Sequence, residues 1–180
     1  MVCQLRKWRM EDAADLATVI SNPRILENLR DGIPYPYTEA DGREFIAAML
    51  SVNEQDTFAF AITVEDRVIG SISVSRQSNI HSRTAELGYY LAEEYWGRGI
   101  ATEAVQQICE YVFSHSDILR IFAEPFAYNV ASQRVLEKAG FQYEGTLRQN
   151  AVKNGKVLDM KMYARVRRNY KKSEFLDDMQ

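Results

Sequence analysis

At 180 residues, 46% hydrophobic and 26% charged, with nine glycines and four prolines, the chain has room for one globular domain with a substantial core, and fibrous and low-complexity classes are excluded. A formal net charge of −3 argues against a nucleic-acid partner, so any polyanionic ligand has to be held by local groups. The two cysteines, Cys3 and Cys109, stand in unrelated contexts and suggest no disulfide. No leader-like start is visible and no apolar run approaches the roughly 18 to 20 residues that span a bilayer, so the expectation is a soluble cytoplasmic protein with no membrane partner.

Residues 3–8 open the chain as a strand. The stretch 11–21 places Ala14, Leu16, Ala17 and Ile20 at helical spacing, and Asn22-Pro23 punctuates it. A short second helix is expected over 25–29, followed by Gly32-Ile33-Pro34-Tyr35-Pro36-Tyr37, whose two prolines favour an extended loop. Thr38 caps a third helix carrying Phe45, Ile46, Met49 and Leu50, with Asp41 in the place of the usual capping-box Glu. Residues 57–64 and 68–76 are β-rich and flank Glu65-Asp66-Arg67, which reads as a hairpin turn. Residues 83–91 form a further strand, and 100–113 an amphipathic helix. A strand at 119–123 leads to a helix capped by Asn129 and stopped at Gly140. Strands 141–152 and 157–166 close the chain around Lys153-Asn154-Gly155-Lys156, where Asn-Gly is a strong hairpin signal. One domain therefore covers 1–167, and the charged, aperiodic stretch 168–180 reads as a surface tail or a frayed final helix.

The chemistry concentrates where a strand ending near Leu91 meets a helix starting near Ile100. Gly97 and Gly99 let the backbone approach an anion closely at the positive end of a helix dipole, and Arg98 adds a fixed cation. The expected guest is a pyrophosphate. The Walker pattern G-x-x-x-x-G-K-[ST] is absent. The dinucleotide fingerprint G-x-G-x-x-G finds Gly97 and Gly99 but has Thr102 in third place, with Glu124 as an acid that imitates the ribose ligand. A helix start with two harmless glycines is the third option.

Around this loop the sequence resembles the GNAT acetyltransferase superfamily. Its signature Gln/Arg-x-x-Gly-x-Gly/Ala aligns on Trp96-Gly97-Arg98-Gly99-Ile100-Ala101, with Trp96 departing from the pattern. Tyr95-Trp96-Gly97-Arg98-Gly99-Ile100-Ala101-Thr102-Glu103-Ala104 is similar to the form in the branch of Rim-type enzymes, which acetylate ribosomal-protein N-termini. Two further runs look like the same branch: residues 129–141, from Asn129 through Ser132 and Glu137-Lys138 to Gly140-Phe141, and Ala85-Glu86-Leu87-Gly88-Tyr89-Tyr90-Leu91. The resemblance implies a single α/β domain with a twisted mixed sheet of about seven strands and helices on both faces. It also implies acetyl-CoA as acetyl donor, no metal, and transfer to a primary amine by direct attack in a ternary complex.

Such a transfer needs a neutral amine, a stabilised oxyanion and a proton for the thiolate. A Lys-type amine titrates near about 10.4 and an α-amine near about 8, so deprotonation matters most for the former. The resemblance places Glu86 as base and substrate contact, acting directly or through a water; an ion-pair partner for a Lys or Arg is the other reading of a Glu in a strand. It places backbone N–H groups near Tyr90 and Leu91 at the oxyanion, and Trp96, Gly97, Arg98, Gly99, Ile100, Ala101 and Thr102 around the cofactor. Many superfamily members carry a general-acid Tyr where this chain has Leu136, so Ser132 takes that role by resemblance, with Asn129 on the pantetheine arm. Both also suit a plain helix start. Tyr35 and Tyr37 line the acceptor site by their position in the family, or serve as a packing lid. His81 and His115 have no metal-ligand partner at useful spacing, and Cys109 falls on an apolar helix face. The acceptor is a peptide or small-molecule amine: a protein N-terminus, a polyamine, an amino acid or an aminoglycoside. A homodimer is left open. Two rival classes remain, a non-catalytic acetyl-CoA-binding module and a nucleotide-dependent oxidoreductase.

Overall fold

Two-residue turns with both central residues in the left-handed region build the two hairpins, because their twist matches that of the strands they join. Glu65 and Asp66 (φ 51° and 65°) join β2 (Thr57–Val64) to β3 (Arg67–Arg76), and Asn154 and Gly155 (φ 49° and 74°) join β6 (Gln142–Lys153) to β7 (Lys156–Val166). The turn 65–67 expected from sequence is thus one residue tighter, with Arg67 already in the strand.

The computed structural model describes residues 2–168, and the expected tail lies outside them from residue 169 onward. β1 (Gln4–Arg6), β4 (Thr84–Leu91) and β5 (Arg120–Ala123) complete one seven-stranded sheet in the order β1-β2-β3-β4-β5-β7-β6. Only β4 and β5 pair parallel, and the remaining neighbours are antiparallel. The sheet is the open, mixed, α/β arrangement that the sequence implied.

Helices cover both faces. α1 (Ala13–Ile20), preceded by a turn of 3-10 helix at Met10–Asp12, packs with α3 (Glu39–Ser51) on one face, burying Leu16, Ile46 and Val68 with Trp8. α3 starts on the expected capping box, in which Thr38 accepts from the Asp41 N–H at 3.2 Å and Asp41 accepts from the Thr38 N–H at 2.7 Å. α4 (Ile100–His115) covers the other face, where Ile72, Val74, Val105, Ile108 and Ile121 meet in the larger core with α5 (Val130–Lys138) beside them. α5 ends as read from the sequence: Gly140 takes φ 88° and the Phe141 N–H returns to the Leu136 carbonyl at 3.0 Å.

The second helix differs from expectation. It is α2 (Pro23–Leu26), not 25–29, because Asn22 caps it by accepting from the Arg24 N–H at 2.9 Å and Pro23 occupies its first turn. Asn-Pro here starts a helix, since a proline at the first helical position gives up a donor that has no helical partner anyway.

Candidate active site

β4 ends at Leu91, a turn of 3-10 helix follows at Glu93–Tyr95, and Gly97 (φ 73°) and Gly99 (φ 81°) lead into α4. Both glycines stand in open space, so the left-handed backbone and not a crowded neighbour makes glycine necessary. The first helical bond of α4 runs from the Glu103 N–H to the Gly99 carbonyl at 3.0 Å, and no side chain caps the helix. The N–H groups of Ile100, Ala101 and Thr102 therefore precede the helical ladder and face the loop as anion donors. Ile100 itself is 1% exposed, so it serves the loop only through its backbone.

Trp96, where the superfamily pattern carries Gln or Arg, donates its indole N–H to the Leu91 carbonyl at 2.8 Å and lies under the Arg24 guanidinium, 5.4 Å from the ring. It pins the glycine loop to the end of β4. Arg98 turns onto the Tyr95 ring at 5.7 Å instead of into the cleft, and the cations that line the cleft near the loop are Arg134 and Lys138 of α5. The sequence reading did not single them out; their spacing of four residues on the helix that opens at Asn129 is the signal that could have found them.

Beside the loop, the β4–β5 ladder stops at the pair Glu86–Phe122, while β4 stays paired to β3 as far as Leu91. From Leu87 onward β4 is no longer paired with β5, and the two strands splay apart. Antiparallel pairs alternate in their bonding: the Ala92 N–H donates to the Ile69 carbonyl at 2.7 Å, so Tyr90 two residues back is also turned to β3. The amides of Tyr89 and Leu91 are those presented to the gap. Of the two oxyanion residues expected from sequence, Leu91 offers its N–H and Tyr90 has its own committed to Ser71. Gly70 lets the strands close up here, since a Cβ would lie 2.4 Å from the Tyr90 carbonyl.

Strand alternation sends Leu87, Tyr89 and Leu91 to the α4–α5 face and Glu86, Gly88 and Tyr90 to the α1–α3 face. On the α5 side, the Ser132 hydroxyl lies 2.8 Å from the Tyr89 hydroxyl. Asn129 accepts from the Ser132 N–H at 3.1 Å, so its carbonyl is an N-cap and its amide nitrogen is left for a ligand. Burial pushes the Tyr89 phenol up to about 12, with the bond to Ser132 opposing, so Tyr89 is a neutral hydroxyl at ordinary pH. Leu136 is fully buried, and Tyr89 brings a phenol to this corner from β4. The sequence reading missed it because a Tyr in a strand run carries no mark of which face it will take.

On the opposite face, Glu86 forms an ion pair with Arg30 from the segment after α2. Glu86 is ion-paired, as one reading of it expected, and it lines the cleft. Glu124, just past β5, lines the same cleft; burial and then the Glu86 charge push its carboxyl above the usual range, with Arg30 pulling it back. The floor is a row of small side chains, Ser71, Ser73 and Ser75 of β3 with Thr57 and Ala59 of β2. From the proline loop the cleft takes Ile33 and neither tyrosine. Tyr35 is 62% exposed, and Tyr37 turns inward against the α1–α3 core, donating to the Asp41 carbonyl at 3.2 Å. The chain bends at Tyr35 and Pro36, so the two tyrosines take different directions.

The two halves join into one cleft of about 870 Å3, running from the loop glycines through the splay to Glu86 and Glu124. Cys3 and Cys109 are buried free thiols, each pushed up to about 12 chiefly by burial, and neither lines the cleft. His81 sits in a turn of 3-10 helix and His115 at the end of α4 stacked on Tyr111, both away from the cleft. Among the described residues no group of three or more His, Cys, Asp or Glu is placed to hold a metal, and no helix is long and apolar enough to cross a membrane.

A backbone anion site at one end, a window through the sheet, and a carboxylate at the far end define the cleft of a coenzyme-A-dependent acyltransferase. Residues 3–142 match the family model described as Acetyltransferase (GNAT) domain. The chain is 32% identical over 170 residues to an uncharacterized N-acetyltransferase p20 of Bacillus licheniformis, covering 92% of this chain and 93% of that one. It is 30% identical over 130 residues to the ribosomal-protein-serine acetyltransferase of Escherichia coli, covering 72% of each. Its fold matches that of a RimL ribosomal L7/L12 alpha-N-protein acetyltransferase solved with coenzyme A, at TM-score 0.82 and 24% identity over 92% of this chain and 94% of that one. The protein belongs to the GNAT acetyltransferase family. It is an acetyl-CoA-dependent N-acetyltransferase whose acetyl donor is the co-substrate, as the sequence implied.

Proposed function

We propose that the acceptor is a primary amine at the end of a slender chain, a protein N-terminus first among them and a small-molecule amine second, and that the sheet divides the two substrates. The observation that carries this is the ending of the β4–β5 ladder at Glu86–Phe122, with Ser132 on one face of the sheet and Glu86 on the other. Acetyl-CoA lies on the α4–α5 side, with its pyrophosphate at Gly97, Gly99, Ile100, Ala101 and Thr102 and its pantetheine at Asn129. The thioester reaches the window, and the amine arrives from the α1–α3 side over the serine floor.

Glu86 takes the amine proton, directly or through a water, and the nitrogen attacks the thioester carbon. The oxyanion meets the Leu91 N–H, and the collapsing intermediate expels the thiolate beside Ser132. With Tyr89 as the donor of the bond between the two hydroxyls, Ser132 keeps its own hydrogen to meet the sulfur. The thiolate of a thiol titrating near about 8.5 leaves with modest help, so Ser132 is an aid and not a necessity. Cys3 and Cys109, buried and protonated, support direct attack over an acyl-enzyme. The same reduced thiols fit a cytoplasmic protein, and β6, outermost among the described strands, offers an edge for a homodimer.

The test is thiol release from acetyl-CoA with three acceptor sets: short peptides with free N-terminal serine or alanine, polyamines, and aminoglycosides. Faster turnover of the peptides, with acetyl found on the α-amine by mass spectrometry, supports the first acceptor. Turnover confined to aminoglycosides contradicts the slender-chain reading.

A further inference from the structure

Arg30 stands where the acceptor has to go. Its head group is ion-paired to Glu86 and close enough to Glu124 to influence that carboxyl, yet its side chain is 73% exposed. The segment around it is held independently. The Tyr128 hydroxyl donates to the Glu27 carbonyl, and Lys153, at the tip of the β6–β7 hairpin, reaches Asp31 at 2.9 Å with only 11% of its side chain exposed. The backbone on both sides of Arg30 is therefore tied to the other half of the cleft, while the guanidinium can swing into solvent without loss of packing.

Glu124 completes the arrangement. Phe122 is the β5 residue opposite Glu86, and alternation returns Glu124 to the same face as Phe122. The described structure gives the Glu124 carboxylate no hydrogen bond or ion pair of its own; its interactions are the repulsion from Glu86 and the attraction of Arg30. At the acceptor mouth of the window Glu86 thus pairs with the Arg30 guanidinium while Glu124 feels its charge from farther off, and at neutral pH an aliphatic amine enters as an ammonium ion.

We propose that Glu86 and Glu124 form a two-carboxylate subsite for the acceptor's ammonium group, and that Arg30 occupies this subsite in the empty cleft as an internal competitor which the acceptor displaces. This rests on the reading of Glu86 as the acceptor-side carboxylate. Ion exchange then precedes chemistry: the ammonium replaces the guanidinium, Arg30 moves into solvent, and Glu86 faces the amine nitrogen in place of Arg30. Exposed ion pairs are weak, so the exchange costs the acceptor only a few-fold in affinity. A neutral amine gains nothing from the subsite and has no charge to exchange. The subsite is a specificity device for cationic acceptors.

The test compares propylamine, cationic at neutral pH, with 4-methoxyaniline, which is neutral there, in thiol-release kinetics of the full chain. The wild type is expected to acetylate both. R30Q should lower KM for propylamine about threefold with kcat unchanged, since it removes a competitor worth no more than an exposed pair. E124Q should raise KM for propylamine about tenfold and that for 4-methoxyaniline far less, whereas R30Q should lower KM for both amines, since both need the place that Arg30 occupies. An unchanged or higher propylamine KM in R30Q, an equal effect of E124Q on both amines, or no turnover of propylamine by the wild type overturns the proposal. Acetyl-CoA affinity, measured by calorimetry on each protein, keeps the two readings apart. Its loss in the wild type contradicts the acetyltransferase site itself, whereas retained affinity in both variants shows that any kinetic change belongs to the acceptor side.

Discussion

In the proposed assignment, the donor half of the cleft is built from backbone and the acceptor half from side chains. On the donor side the working groups are the left-handed turns at Gly97 and Gly99, the unpaired amides at the start of α4, and a ladder that stops at Glu86. On the acceptor side they are a guanidinium from the segment after α2, carboxylates from β4 and from beyond β5, and a serine row from β3. Groups of the first kind serve any CoA donor and permit little change. Those of the second kind can be replaced one at a time without disturbing the fold, which suits a family that keeps its donor and varies its acceptors.

The sharpest way to break the donor half is G99V. A β-branched residue at φ 81° costs of the order of 1–3 kcal/mol in strain, so acetyl-CoA affinity measured by calorimetry should fall about 10- to 100-fold. An affinity within twofold of wild type would show that the left-handed turn is not needed. E86Q tests the acceptor half: kcat should fall about 100-fold while acetyl-CoA affinity is kept, because general-base loss of this order leaves donor binding untouched. Equal losses in both would mean that the halves are not separable.

S132A and Y89F probe the corner where the halves meet. S132A should lower kcat about tenfold and Y89F about threefold, as removal of a hydrogen bond near the reacting sulfur and of the bond that orients it. The pH dependence follows from the phenol. Its folded value is raised to about 12 from 10.0, so the neutral donor persists through pH 10, where a free phenol would be half ionised. The wild-type to Y89F ratio of kcat should stay flat from about pH 7 to 10. A fall of that ratio beginning below pH 10 would show that Tyr89 titrates like an exposed phenol. The smallest expected effect is that of W96F, which removes the bond to the Leu91 carbonyl and should weaken acetyl-CoA binding about twofold.

The same division explains what could be read in the sequence. The hairpin turns, the Thr38 and Asn129 caps, the stop at Gly140 and the glycine loop are local backbone devices, and each carries its residue signature within a few positions. α2 was misplaced because Asn-Pro serves both as a stop and as a start, and only the Asn22 cap decides which. The acceptor half depends on contacts distant in sequence. Arg30 meets Glu86 across 56 positions and Tyr89 meets Ser132 across 43, and no local pattern announces either. Glu124 was visible only as an imitation of a ribose acid, because its carboxylate neighbour lies on another strand. Arg98 was read as a phosphate cation from its place in the loop, but the left-handed residues on either side of it turn its side chain onto Tyr95.

The central claim is that the sheet separates donor from acceptor and that transfer occurs through the gap between β4 and β5. A crystal structure of the acetyl-CoA complex tests it most directly. The account predicts pyrophosphate oxygens within hydrogen-bond distance of the Ile100–Thr102 amides, the thioester carbonyl at the Leu91 N–H, and the sulfur beside Ser132. A thioester lying on the Glu86 face of the sheet, or a pyrophosphate held away from the loop, would contradict it.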